Sequence, residues 1–187
     1  MRAAGLLLGI LWIGACSSPD PTQAPPQRVD PSVSSSPCAQ LLARLPRVSP
    51  PLEMPTANSL DPFPVEVQDW LHKNLADTGI YVPVGQWPGP EGKLLWLIEQ
   101  ITSQGSFYYA VLSDSTCAIA DTAVWAFQRV LPDQLEEARA RLTPTGECEI
   151  YYEKRLTDFR QEQPRIVTTQ SQARYAVDWS ARRFRRL

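Results

Sequence analysis

The chain changes its hydrophobic rhythm several times. Residues 3–13, AAGLLLGILWI, form an unbroken apolar run that ends at Gly14, Ala15 and Cys16. No apolar period follows until residue 38. CAQLLARL, 38–45, places Leu41, Leu42 and Leu45 on one side of a short helix that Pro46 stops. The clearest helical pattern is FPVEVQDWLHKNLADTG, 63–79. There Val67, Trp70, Leu71 and Leu75 recur at helical spacing, Pro64 suits the first turn and Gly79 the stop.

Beyond it the pattern shortens. LLWLIEQI (94–101), SFYYAVL (106–112) and CAIADTAVWA (117–126) are apolar stretches separated by TSQG and SDST, both turn-forming. They predict an antiparallel meander, although Leu94, Leu97, Ile98 and Ile101 also fit one face of a helix. LPDQLEEARARL (131–142) predicts a helix opened by Pro132 and Asp133, with Leu135, Ala138 and Leu142 as its stripe. Residues 147–156, 164–169 and 173–180 predict three more strands. The expected fold is α+β. An antiparallel sheet of two three-stranded meanders carries two to three helices packed on it.

Composition sharpens the boundaries. Of the 18 prolines, twelve precede residue 65, and 17–37 holds six prolines and six serines. Such a segment is a solvated, disordered tether, partly polyproline II. Forty-three per cent hydrophobic residues, with six Trp, six Tyr and five Phe, suffice for a core in the remainder. The net charge of −2 hides an asymmetry: 61–162 carries a balance of −8, and 163–187 one of +5.

The apolar run at 3–13 is too short to cross a bilayer, which takes about 20 residues, and has the length of a signal-peptide core. With Arg2 before it and Ile13, Gly14, Ala15 and Cys16 at its end, the N-terminus resembles bacterial lipoprotein precursors, whose lipobox is a branched apolar residue, two small residues and a cysteine. The resemblance covers residues 1–16. It implies removal of 1–15, a diacylglyceryl thioether on Cys16, and an anchor in membrane lipid. Two or three long acyl chains hold far more firmly than one, at roughly 0.8 kcal/mol per buried CH₂. Ser17, in place of the aspartate that retains such proteins in the inner membrane, implies the outer membrane, facing the periplasm, for a Gram-negative host. The expected layout is signal peptide 1–15, lipidated cysteine and tether 16–37, short helix and proline-rich segment 38–62, and an α+β domain over 63–187.

Several chemistries find little support. His72 is the one histidine and has no GxSxG partner motif. The cysteines show no metal-ligand spacing, and GQWPGPEG (85–92) lacks a phosphate-loop lysine. No cofactor and no metal are expected. Glu136–Glu137 and Glu147/Glu149 are the carboxylate pairs able in principle to do acid–base work. Once Cys16 is lipidated, Cys38, Cys117 and Cys148 remain, in a compartment where disulfides persist. Cys117 and Cys148 both open expected strands and are the favoured pair. Cys38 with either one would staple the first helix to the sheet, and three free thiols are the remaining alternative.

The end of the chain, ARRFRRL, sets Arg182, Arg183, Arg185 and Arg186 around Phe184. It reads either as a patch for an anionic partner, such as lipid headgroups, a wall polymer or an acidic envelope protein, or as a solvated tail. Nucleic acid is not an expected partner of an envelope protein. Of the adjacent pairs Tyr108–Tyr109 and Tyr151–Tyr152, one member each should face the core. Together these features point to a non-enzymatic binding, assembly or scaffolding module on a membrane. An enzyme working on envelope polymers through carboxylates is the alternative.

Overall fold

The computed structural model describes residues 36–56, 61–75, 79–159 and 163–187. The lipobox residues Ile13, Gly14, Ala15 and Cys16 and the tether to residue 35 lie outside them. Helix α1 (Pro37–Arg44) opens with the Ser36 hydroxyl accepting from the Ala39 amide at 3.2 Å. Strand β1 (Leu52–Met54) follows, and then helix α2 (Val65–Leu75). Eight antiparallel strands complete the fold: β2 (Ile80–Pro88), β3 (Lys93–Thr102), β4 (Gly105–Asp114), β5 (Ile119–Leu131), β6 (Gln134–Leu142), β7 (Glu147–Asp158), β8 (Arg165–Asp178) and β9 (Arg183–Arg186). They pair in sequence order as one continuous meander, and β1 pairs with β6.

Two apolar clusters hold these elements. The first lies under the helices and joins Leu41, Leu45, Phe63, Val67 and Leu71 to Tyr81, Trp96, Ile98, Val111 and Cys117. The second gathers Leu95, Leu97, Ala110, Leu112, Trp125, Leu142, Cys148 and Val177. Strand β3 therefore buries both its faces, with Trp96 and Ile98 on one side and Leu95 and Leu97 on the other. That explains its unbroken apolar run and its likeness to a helix: a strand covered on both sides has no polar alternation to show.

Strand β5 is where the meander turns from one region to the next. Opposite Tyr108 and Tyr109 of β4 stand Ala126 and Val124, so Trp125 is the extra residue of a bulge. The C-terminal part of β5 pairs with β6, and β1 pairs with β6 further along, Met54 opposite Ala140 and Leu52 opposite Leu142. The tight hairpin from β3 to β4 depends on Gly105. It has φ of +146°, and a Cβ there would overlap the Gln128 carbonyl.

The structure departs from the sequence expectation in five places. Residues 131–142 hold no helix: β6 buries Ala138, Ala140 and Leu142 and exposes Arg139 and Arg141 between them. Pairing on both sides overrides the helical propensity of Leu, Glu, Ala and Arg. Residues 164–169 and 173–180 merge into one long β8. The unassigned stretch at 80–88 is β2, an edge strand, where Pro83 is tolerable. The segment 38–62, set apart from the 63–187 domain above, supplies Leu41, Leu45 and Met54 to the two clusters, and one compact unit spans Ser35–Leu187.

The fifth departure is the disulfide. Cys38 in the first turn of α1 bonds to Cys117, with Cα atoms 5.8 Å apart, and Cys148 is a buried free thiol. The favoured pairing of Cys117 with Cys148 fails because the two belong to different clusters. The bridge instead staples α1 to the turn after β4. It spans a sequence separation of 79, for which loop-closure entropy gives about 4–5 kcal/mol. The Cys38→Ser/Cys117→Ser variant should lose stability of that order in urea unfolding. Mass mapping without reductant should find Cys38 joined to Cys117. Cys148, its thiol pushed up to about 12 by burial and then by Glu149, should resist alkylation until the protein unfolds.

Candidate functional site

The residues able to do chemistry are first located by what they touch. The ring of His72 lies 5.4 Å from that of Tyr81, and its Nε2 is 3.0 Å from the Gly79 carbonyl oxygen, so it ties the end of α2 to the start of β2. No serine or cysteine nucleophile is joined to it by a hydrogen bond among the described residues. These residues hold no cluster of three metal-ligating side chains either, and no helix among them is long and apolar enough to cross a membrane.

The carboxylate pairs are occupied by cations. Glu136 and Glu137 point to opposite faces of β6, as strand neighbours must. Glu136 meets Lys154 at 3.3 Å and Arg129 at 4.0 Å, and Glu137 accepts from Arg139 Nε at 2.6 Å. Glu147 and Glu149 share Arg174, at 2.6 and 3.9 Å.

The arrangement with the most chemical content was not visible as a motif. It is the outward face of β1, β6, β7 and β8, where the strand register builds rows of side chains. One row runs Glu53–Arg141–Glu149–Arg174, the next Arg139–Tyr151–Gln172, the next Glu137–Glu153–Gln170. Two adjoining depressions of ≈340 and ≈490 Å³ lie on this face and share Glu137, Arg139 and Tyr151. Glu137 stands directly opposite Glu153, a repulsive pair by itself. Arg139 offsets the first carboxylate; Arg155 and Gln170 bond to the second, the Gln170 amide at 2.6 Å. Hydrogen bonding from Gln170 and then Arg155 holds the Glu153 carboxyl below the usual carboxylate range. An ionised Glu153 suits ion pairing and is no proton donor at neutral pH. Tyr151 is half exposed beside these guanidinium groups, and Tyr152 is more covered. In the other tyrosine pair, Tyr108 is buried and Tyr109 is partly covered by the helix-side cluster. The face is thus an open, polar dish with alternating charge and one exposed aromatic ring.

The basic end is a strand. Phe184 packs on Trp125 with ring centres 5.1 Å apart, and its amide donates to Asp121 at 2.6 Å. The turn before it places Arg182 at φ of 51°, with its guanidinium 3.3 Å from both Asp114 and the Ala118 carbonyl. Arg182 is therefore withdrawn from the basic patch. Arg183, Arg185 and Arg186 remain exposed and make no ion pair among the described residues. By strand alternation Arg183 and Arg185 share the face opposite Phe184.

Comparison with known proteins returned no matching family model, no matching curated protein and no matching solved structure.

Asp114 joins this basic strand to the body and makes a pH prediction possible. Its carboxylate accepts from the Thr116 hydroxyl at 2.6 Å and from the Thr116 and Ala118 amides at 2.9 and 3.1 Å. These bonds, the hydroxyl first, and to a lesser degree Arg182, hold it below the usual range. A depressed folded value means stability that is complete above the unfolded value of about 3.9 and is lost as pH falls through the folded one. Asp114→Asn should therefore unfold at lower urea than wild type at pH 7. The two midpoints should converge as the pH is taken down through the depressed folded value and the Asp114 carboxylate takes up its proton.

Proposed function

We propose that this protein is a lipid-anchored envelope lipoprotein whose α+β domain is a non-enzymatic binding, assembly or scaffolding module. Cys16 is its proposed attachment point, and the outer membrane, facing the periplasm, its proposed site in a Gram-negative host. The observation that carries the reading is the Cys38–Cys117 disulfide downstream of the Ile13–Gly14–Ala15–Cys16 lipobox. Structural disulfides belong to oxidising compartments, and the lipobox supplies the route there. A binding role draws support from two surfaces: the polar dish around Tyr151, Arg139 and Glu153, and the three arginines of β9 that make no ion pair among the described residues. The carboxylate-enzyme alternative gains no such support. It needs one carboxyl kept protonated near neutral pH, whereas the pairs considered are matched to cations and Glu153 is pushed the other way.

The anchor is tested by Cys16→Ser in a host with lipoprotein processing. The variant should incorporate no labelled palmitate and should accumulate as uncleaved precursor. Continued labelling would remove the lipobox reading. The binding surface is tested with the chain from Ser17 onward and vesicles containing an anionic phospholipid. Each arginine near such a surface is worth about 1 kcal/mol. Changing Arg183, Arg185 and Arg186 to Gln should then weaken binding roughly 100-fold at low salt, and the wild-type affinity should fall as salt rises. Changing Arg182 should matter far less, because Asp114 already engages it. Equal binding by wild type and triple variant would remove the basic strand from the proposed surface.

A further inference from the structure

Two open sides of the sheet, that of β2 and that of β8 beyond the reach of β9, are treated in opposite ways. At β2 the free side is occupied. The Gln68 side chain accepts from the Tyr81 amide at 2.8 Å and donates to the Tyr81 carbonyl at 2.7 Å, as a neighbouring strand would. Further along, Gln86 donates its amide to Pro46 at 2.8 Å and accepts from Val48 at 3.0 Å. Such cover is how native sheets avoid unwanted pairing.

Strand β8 has no comparable cover among the described residues. β7 pairs with it from Arg165 to Ala176, without a bulge, whereas β9 pairs on the other side only from Tyr175 to Asp178. The peptide directions can be read from two bonds. The Val177 amide points to the β7 side, toward the Gly146 carbonyl, and the Arg174 carbonyl points to the β9 side, toward the Leu187 amide. Strand alternation then sends the amide and carbonyl of Ile166, Thr168, Gln170 and Gln172 to the open edge. None of these eight groups has a backbone partner among the described residues. Residues 166–173, IVTTQSQA, carry no charge and no proline, and Ile166 is 70% exposed. The stretch is rich in β-formers and lacks the devices that blunt an edge.

We propose that this edge pairs with the same edge of a second copy, β8 against β8 in antiparallel fashion, about a twofold axis at Thr169. The self-complementarity of the strand carries the choice of occupant. With Thr169 opposite Thr169, Ile166 faces Gln172 and Thr168 faces Gln170, and all eight edge groups of each molecule find partners. Val167 faces Ser171 and Arg165 faces Ala173, so no arginine opposes an arginine. Thr–Thr is a favourable cross-strand pair. The chain's own 17–37 segment is a poor occupant, since its six prolines have no amide to donate. The segments 57–60, 76–78 and 160–162 are too short to cover the eight-residue stretch.

The test uses the chain from Ser17 onward in sedimentation equilibrium, with Thr168→Pro and Thr169→Cys variants. Wild type should be a concentration-dependent dimer. Thr168→Pro removes an amide that points away from β7, so the monomer should keep its near-UV circular dichroism while the dimer weakens about tenfold or more. Thr169 occupies a non-hydrogen-bonded position, where facing Cα atoms lie about 4.5 Å apart, within disulfide reach. Thr169→Cys should therefore form an intermolecular disulfide under mild oxidation, and Gln172→Cys should not. A monomer at all concentrations would overturn the proposal. So would a dimer indifferent to Thr168→Pro and not linked through residue 169. A chain that dimerises only when begun at Ser36 would also overturn it, by showing that the preceding segment takes the edge.

Discussion

The turn between β4 and β5 is the constraint on which the rest of the structure leans. Asp114 folds its carboxylate back onto Thr116 and Ala118, which lets Cys117 take a φ of 62°, uncommon outside glycine. In that conformation Cys117 sits in the helix-side cluster and bonds to Cys38. The same carboxylate receives Arg182 from a segment 68 residues away. One short loop thus fixes the first helix, the start of β5 and the approach to β9. A few residues later Asp121 repeats the device by accepting the Phe184 amide.

From this fixed point the two clusters can be filled independently. The disulfide holds α1 against one face of β2–β4, and α2 packs beside it with Trp70 against Trp96 at 6.2 Å. Phe184, held by Asp121, closes on Trp125 at the bulge in β5. A large aromatic residue at that position meets both the N-terminal half of the meander and the last strand. Burial of side chains of this size is worth roughly 1.5–3 kcal/mol each, so the bulge is among the costliest places to truncate.

How far the sequence disclosed this depended on how each face is covered. Helix α2 was legible because one face is solvated and the other buried. β3 was ambiguous because both are buried. For β6 the signal was present: Ala138, Arg139, Ala140, Arg141 and Leu142 alternate with a period of two, but Leu, Glu, Ala and Arg are also good helix formers. The basic strand β9 was hidden in a different way. Its pairing depends on Asp114, Asp121 and Trp125, which lie more than fifty residues earlier, and a local window sees only four arginines around a phenylalanine. The disulfide failed for a related reason, since spacing in sequence says nothing about which cluster a thiol enters. The charged dish on β6–β8 has no sequence motif at all, because it exists only once the register sets Glu137 beside Glu153.

The amide of Gln68 has a consequence for how this protein meets its neighbours. A sheet with two bare edges is a repeating unit: each added molecule offers a fresh template, and growth has no natural end. Here one terminus of that would-be polymer is occupied by a side chain that imitates a peptide unit, reinforced by the 46–48 segment. Strand addition at β2 is therefore blocked where Gln68 and the 46–48 segment sit. Fibre growth through that edge is closed off by geometry.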